Sequence, residues 1–400
     1  MSTGLRERMK VVVVHNHYQL PGGEDEVFRA ETELLESRGH EVVRYTVDNR
    51  EIEGMGRVAL ATAAIWNRSA HRTLRELFRR ERPDIAHFHN TQPLVSPAAY
   101  YAARAEGVGV VQSLHNFRLV CVNGVLFRDG HVCEDCLGKF IAWPGVVHAC
   151  YRGGIGASAV TAGMVASHRA LGTWTRVVGA YIALSEFSRG KFIAGGLPAD
   201  RLFVKPNFLN SDPGVGAHEG GFALYVGRIS PEKGLGVLQH AWDLLGDQVP
   251  LKIIGGPVPP TPPASPAIEW LGHQPKERVF AAMQAASVLV FPSECYENCP
   301  MTIIEAYATG LPVIVSGQGS AAGMVADGGT GRHFRAGDAA DLATQVRSAL
   351  GDPAGLAAMG RAARREFEQG YSKEKNYDRL IGIYRTAVTS SHGSERYGAA

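Results

Sequence analysis

The sequence predicts an α/β protein built from two doubly wound parallel sheets. Three observations carry this reading. Short, wholly apolar runs at 11–14, 288–291 and 313–315 alternate with longer stretches of helical periodicity, the pattern of parallel strands joined by crossover helices. Glycine- and proline-bearing loops follow the strand ends, in a chain with 47 Gly and 21 Pro. The rhythm lapses at Pro206-Asn207 and in NSDPGVGAHEGG (210–221), then restarts at Phe222, so a domain boundary falls there. The chain has 400 residues, enough for two domains, expected at 1–209 and 210–400.

In the first domain, VVVV (11–14) is a buried strand ending in His15-Asn16-His17. PGGED follows, then a helix over 24–38 with Val27, Leu34 and Leu35 inward. Gly22 and Gly23 stand at a strand-to-helix turn, where glycine either permits a tight turn or lets a ligand approach the backbone. A strand near 41–47 and a long helix over 57–81 come next. On that helix Trp66, Ala70, Leu74, Leu77 and Phe78 share a face, while Arg68, Arg72, Arg75, Arg79 and Arg82 line the rest. A basic amphipathic helix can lie on an anionic membrane; the commoner outcome is a packed helix with a solvated basic face. Strands over 84–88 and 108–114 end in His87-Phe88-His89-Asn90 and Ser113-Leu114-His115-Asn116. Parallel sheets bind ligands at the carboxyl ends of their strands. His15, His17, His89 and His115 all stand at such ends, which points to a cleft.

Residues 121–150 interrupt the α/β rhythm with Cys121, Cys133, Cys136 and Cys150, spaced C-x11-C-x2-C-x13-C. The Cys133-x-x-Cys136 turn can present two thiolates to one metal, and Cys121 and Cys150 can complete a four-thiolate structural zinc site. The alternative is a loop with incidental or redox-active cysteines. A helix over 155–175, a strand entering a helix cap at 181–187 and a strand at 202–205 complete the domain.

The second domain restarts with a strand at 222–226, ended by Gly227-Arg228-Ile229-Ser230-Pro231-Glu232-Lys233-Gly234. A helix runs on through Leu238 and Trp242. Strands at 251–255 and 268–272 flank an extended loop, PVPPTPPAS (257–265). The strand at 288–291 opens the most informative stretch, FPSECYENCPMTIIEAYATGLPVIVS (291–316). Its loop carries Glu297. Asn298 or Cys299 can cap the next helix, with Pro300 at or near its first position. The first turn, Met301 to Ile303, offers N–H groups without intrahelical partners, and such a helix start attracts phosphate. Glu305 lies one turn further in. Carboxylates accept hydrogen bonds from sugar hydroxyls, so two of them beside an anion site suit a nucleotide-sugar. The ordinary alternative is a βαβ unit with two solvated glutamates. Cys295 and Cys299 read as loop packing. Helices near 338–350, 353–369 and 371–388 follow, and residues 389–400 are expected to be a disordered tail.

Hydrophobic residues make up 45% and charged residues 20%, ordinary for a soluble globular chain. A net charge of +2 gives no electrostatic case for nucleic acid. No apolar run is long enough to span a bilayer, and VVVV after a polar start is too short for a signal core. The expected location is cytoplasmic, with peripheral attachment to the inner membrane face through the arginine-rich helix as the variant; stable disulfides are rare there.

The E-x7-E spacing of Glu297 and Glu305, with EAYATGLPVIVS after it, resembles the signature of family-four retaining glycosyltransferases, which have the GT-B fold. VGRISPEKG is similar to that family's diphosphate-binding string, and SLHN to its catalytic-domain histidine motif. In the usual form the first Glu is followed by Gly-Phe-Gly; here Asn298-Cys299-Pro300 follows, with both Glu in register. The resemblance covers most of the chain. It implies two Rossmann-like domains facing a cleft, the first receiving the acceptor and the second the donor, with the final helix crossing back to the first domain. It implies transfer of a sugar from a UDP-, GDP- or ADP-sugar to a hydroxyl of a glycan or lipid-linked acceptor, with retention. Arg228 and Lys233 would neutralise the diphosphate, aided by the Met301 and Thr302 N–H groups, so no metal is needed for it. Glu305 would hold the ribose, Glu297 the donor sugar, and the Gly23 loop would face the donor phosphates. His115 would act near the reaction centre. A sub-branch of the family carries a cysteine insert after HN-F-R, which implies a structural knob near the acceptor side. The other readings are a nucleotide-sugar epimerase of the same fold and a non-catalytic nucleotide-sugar sensor.

Overall fold

The computed structural model describes residues 8–19, 22–258 and 265–393. They form two compact units. The first gathers the chain up to Val125, Glu134–Pro206 and the residues from Asn376 onward. The second gathers Leu126–Cys133 and Asn207–Lys375.

The first unit holds β1 (Lys10–His17), β2 (Glu41–Asp48), β3 (Ile85–Phe88) and β4 (Gly109–Leu114). A small antiparallel hairpin, β5 (Phe127–Arg128) and β6 (His131–Val132), intervenes in sequence and groups with the second unit. Two more strands, β7 (Ala180–Ala183) and β8 (Leu202–Val204), complete the first sheet. The order is β2-β1-β3-β4-β7-β8, parallel throughout. A sheet covered on both faces asks for uniformly apolar strands, and Val11, Val12, Val13 and Val14 are all fully buried. The strand order turns back between β1 and β3, which opens the sheet's carboxyl edge at that point.

The second sheet comprises β9 (Ala223–Val226), β10 (Leu251–Ile254), β11 (Ile268–Gly272), β12 (Val288–Phe291), β13 (Val313–Ser316) and β14 (Gly331–Phe334). Its order is β11-β10-β9-β12-β13-β14, again parallel, with the switch point between β9 and β12. Trp242, Leu238, Ile253 and Val290 lie in the core beneath it.

The helix Lys373–Gly393 supplies part of the first unit from Asn376 onward. Tyr384 Oη lies 2.8 Å from His87 Nδ1, and Tyr377 Oη lies 2.8 Å from His40 Nε2. Asn376 Nδ2 donates to the Pro206 carbonyl at 2.7 Å. This helix runs on to Gly393, into the stretch expected to be a tail; residues 394–400 lie outside the described residues, as do 259–264 of the proline-rich loop.

The single long helix expected over 57–81 is two helices, Arg57–Ile65 and Arg68–Glu81. Asn67 makes the break: its side-chain oxygen accepts from the N–H groups of Ser69 and Ala70 at 3.0 and 3.1 Å, an N-cap that starts a new helix. Trp66 therefore sits in extended backbone between the two helices, not on the stripe. Ala70, Leu74 and Phe78 are buried, and Arg75 and Arg79 both pair with Glu106. The apolar face of that helix is thus already spent on the core. No described helix is long and apolar enough to cross a membrane.

Candidate functional site

Two loops leave the second sheet on either side of its switch point. The first follows β9 and carries Arg228 and Lys233; the second follows β12 and carries Glu297. Gly234 brings them together. Its φ is +72°, and a Cβ there would stand 1.9 Å from the Pro292 carbonyl oxygen, so only glycine fits. The Glu294 N–H then donates to the Glu232 carbonyl at 2.9 Å, and Lys233 Nζ reaches Glu297 Oε1 at 2.5 Å. Ser293 Oγ donates to the same carboxylate oxygen at 2.8 Å. The Arg228 side chain is 77% exposed, 3.6 Å from Glu232. Burial, then the Glu297 carboxylate, push the Cys295 thiol up to about 11, so it stays protonated.

The helix Met301–Thr309 begins beside these loops. Pro300 occupies the cap position, and no side chain caps the helix. Neither Asn298 nor Cys299 is the cap residue, because the chain is still extended at Pro300 and turns helical only at Met301. A proline cap offers no side-chain acceptor, so no side chain caps the first-turn N–H groups; that of Ile303 donates to the Pro300 carbonyl at 3.2 Å. Glu305, on the buried face of this helix, pairs with Lys276. Lys276 escaped the sequence reading. Its signal was positional: it is the first residue of the helix Lys276–Ala285, where the helix dipole disfavours a cation.

The first unit assembles imidazoles at the carboxyl ends of β1, β3 and β4. His89 Nδ1 and His115 Nε2 are 3.0 Å apart, with stacked rings. Burial holds both well below the ordinary histidine range, helped for His115 by the charges of His15 and Lys205. Both rings are therefore neutral at pH 7, one donating to the other. His115, Asn116, Arg118, Gln92 and Met164 line one cavity at this edge. Asp25 receives both His15 Nε2 (2.9 Å) and His17 Nδ1 (3.0 Å). Tyr18 Oη donates to Glu24 at 2.7 Å, and Asn116 Nδ2 lies 3.4 Å from Tyr18 Oη. Withdrawal from water pushes the Glu24 carboxyl up to about 7 against the pull of Tyr18 and Arg118. Gly22 and Gly23 have open space where a Cβ would stand among the described residues, and neither has positive φ, so no tight turn demands them. The first helical turn after Gly22 holds Glu24, Asp25 and Glu26, which opposes an anion at that helix start.

Of the four cysteines, Cys121, Cys136 and Cys150 belong to the first unit and Cys133 to the second. Cys136 is an electrostatic neighbour of Cys121 and Cys150, and the N–H groups of Gly145 and Val122 point at its sulfur. Burial pushes its thiol up to about 11. Among the described residues, the groups whose potential ligand atoms lie within 4.8 Å of one another are His15/His17/Asp25 and Glu31/His87/His89; no cysteine is in either.

Residues 21–212 match the family model described as Glycosyltransferase Family 4, and residues 221–352 match that of Glycosyl transferases group 1. The sulfoquinovosyl transferase of Arabidopsis thaliana is 30% identical over 192 residues, covering 46% of this chain and 35% of its own length. The D-inositol 3-phosphate glycosyltransferase of Nocardia farcinica is 32% identical over 188 residues, covering 42% of this chain and 41% of its own. The chain thus matches well under half the length of each of these relatives. Among solved structures, a sucrose-phosphate synthase from Thermosynechococcus elongatus superposes with a TM-score of 0.70 at 17% identity, over 96% of this chain and 100% of that one. HepE of Anabaena, solved with UDP and glucose, gives 0.66 at 16% identity over 95% and 100%. The fold is that of the GT-B glycosyltransferases.

Proposed function

We propose that this chain, two consecutive stretches of which match glycosyltransferase family models, moves a sugar from a nucleotide-sugar to a hydroxyl of a glycan or lipid-linked acceptor, with retention at the anomeric carbon. One observation carries the donor site: the Lys233–Glu297 pair joins both loops of a Rossmann switch point beside an uncapped helix start. An ammonium has three donors. Lys233 can keep one on Glu297 and turn another to the diphosphate, so donor binding need not break the pair. Arg228, exposed at the loop, closes on the same phosphates, and the Met301 and Thr302 N–H groups add to them. These fixed donors meet charge that grows on the leaving diphosphate, without a metal ion. Glu305 takes the ribose hydroxyls, with Lys276 holding its carboxylate in place. Glu297 takes a hydroxyl of the donor sugar.

On the acceptor side, neutral His115 contacts the sugar near the reaction centre. Open space at Gly23 suits a ligand more than a turn. Retention rests on the resemblance of the E-x7-E string. HepE, a structural neighbour, was solved with UDP-glucose as well as with UDP, which makes UDP-sugars the first donors to try. Incubation with UDP-, GDP- and ADP-sugars, followed by proton NMR of the product, tests the reading. A new glycoside with the donor's anomeric configuration supports it. A new nucleotide-sugar would identify an epimerase, and binding without product a sensor.

We also propose that Cys121, Cys133, Cys136 and Cys150 hold a structural zinc. The tight Cys133-x-x-Cys136 pair and the N–H groups aimed at the Cys136 sulfur support it. A closed four-sulfur site leaves no position for substrate, so the metal orders the segment and does no chemistry.

A further inference from the structure

The cysteine-bearing segment carries an unusual outward face. Phe140, Ile141, Trp143 and Val147 are 56%, 52%, 57% and 64% exposed. They are four of the large apolar side chains left in water, concentrated within eight residues of chain. Their neighbours show that this is no loose loop. Ala142, Val146 and Tyr151 pack inward on Val122, Cys136 and Ala162. A Cβ at Gly145 would stand 2.6 Å from Val122, so the short helix Trp143–Val147 is pressed onto the unit. Arg169 fastens the segment from the helix Ile155–Ala170: its guanidinium donates to the Lys139 and Phe140 carbonyls at 2.5 and 3.3 Å, and to that of Gly195 at 2.9 Å.

The charged side chains seated on the rings of this face are cations. Arg169 lies over the Phe140 ring at 6.0 Å, and Lys139 over the Trp143 ring at 5.8 Å. Residues 136–185 hold Lys139, Arg152, Arg169 and Arg176 and no acidic residue at all, in a chain with 39 of them. Two acids, Glu134 and Asp135, stand just before the stretch, and Glu134 is held by Lys191. A second copy of the same face would meet like charge. An anionic bilayer meets both features: aromatic rings settle at headgroup depth, and cations on long stems reach lipid phosphates.

We propose that the Phe140–Ile141–Trp143–Val147 face, with Lys139 and its neighbouring arginines, seats this protein on an anionic lipid surface. The arginine-rich helix Arg68–Glu81 would then not be the anchor, since its apolar stripe is buried. This goes beyond the transfer reading and needs neither donor nor acceptor to be tested.

The experiment is co-sedimentation of the full chain with vesicles of phosphatidylcholine alone and with about 30% phosphatidylglycerol. Binding is expected only with the anionic lipid. Phe140→Ser/Ile141→Ser/Trp143→Ser should weaken it at least ~10-fold, and so should Lys139→Glu/Arg152→Glu, which leaves the apolar face intact and guards against a misfolded triple variant. Arg72→Glu/Arg75→Glu/Arg79→Glu should leave binding unchanged. Absence of binding, or equal binding to both vesicles, would overturn the proposal. So would insensitivity to the first two variants, loss through the third, or self-association that the triple variant abolishes while vesicle binding is absent.

Discussion

Lys205 and Glu31 form an ion pair wholly inside the first unit, their side chains 0% and 1% exposed. Asn376 on the final helix also accepts from Lys205, at 3.3 Å, and the second Glu31 oxygen stands 3.5 Å from His89 Nε2. A buried pair of this kind adds little over an apolar pair of the same volume, but removal of one member strands the other charge. Lys205→Met should therefore cost about 3–5 kcal/mol. Lys205→Met/Glu31→Leu should recover most of that loss. Urea denaturation decides, and a single variant as stable as the parent would show that Glu31 gives up its charge or reaches water.

Glu24 should make stability depend on pH. Its carboxyl is pushed from the ordinary 4.5 to about 7 in the fold, first by burial and then by Asp25 against the pull of Tyr18 and Arg118. Between those values the folded protein keeps a proton that the unfolded chain has lost. The contribution is thus full below about 4.5, declines as pH rises, and is gone above about 7. Glu24→Gln should flatten the fall in urea midpoint across that window. Parallel pH profiles for the two proteins would show that Glu24 ionises normally.

Glu305→Ala should weaken nucleotide binding by roughly 1.5–3 kcal/mol, the loss of a hydrogen bond to a charged group. Lys276→Ala should act in the same direction through a carboxylate left unheld. Calorimetric titration with UDP and GDP reads both. Unchanged affinity in folded Glu305→Ala would move the ribose site elsewhere.

Arg228→Ala and Lys233→Ala should lower turnover by one to two orders of magnitude, about 10–100-fold, with little change in melting temperature. Arg228 is mostly in water and the Lys233–Glu297 pair is only partly buried. A large stability loss with activity kept would make these cations structural.

Elemental analysis of protein purified without chelator should find close to one zinc, and Cys133→Ser or Cys136→Ser should release it and expose residues 121–150 to protease. Less than about half an equivalent would reject a closed thiolate site.

The sheets were legible because a strand buried on both faces needs an unbroken apolar run, as in residues 11–14 and 288–291. The site loops were legible because strand ends are where α/β sheets carry ligands. Three features were not. Asn67 divides a helix whose apolar spacing runs straight through it, and only the cap geometry reveals the break. Glu31 and Lys205 are far apart in sequence, and nothing local marks either as buried; charged residues read as surface. Nothing in the sequence marks Phe140, Ile141 and Trp143 as exposed, since exposure is decided by what else covers them. Lys276 shows a subtler limit: no helix was read over 276–285, and nothing local marks Glu305 as its partner.

The return of the final helix to the first unit has a consequence for synthesis. That unit's interior includes Tyr384 against His87 and Asn376 against Lys205, so it cannot finish assembling until the last helix has left the ribosome. All of Asn207–Lys375 is made in between. At roughly 5–20 residues per second this is a wait on the order of ten to thirty seconds. During it Lys205 and Glu31 lack Asn376, and the edge that will receive Tyr377 and Tyr384 stays open to chaperones. The second unit needs only the chain before Asn376 and can close before the first.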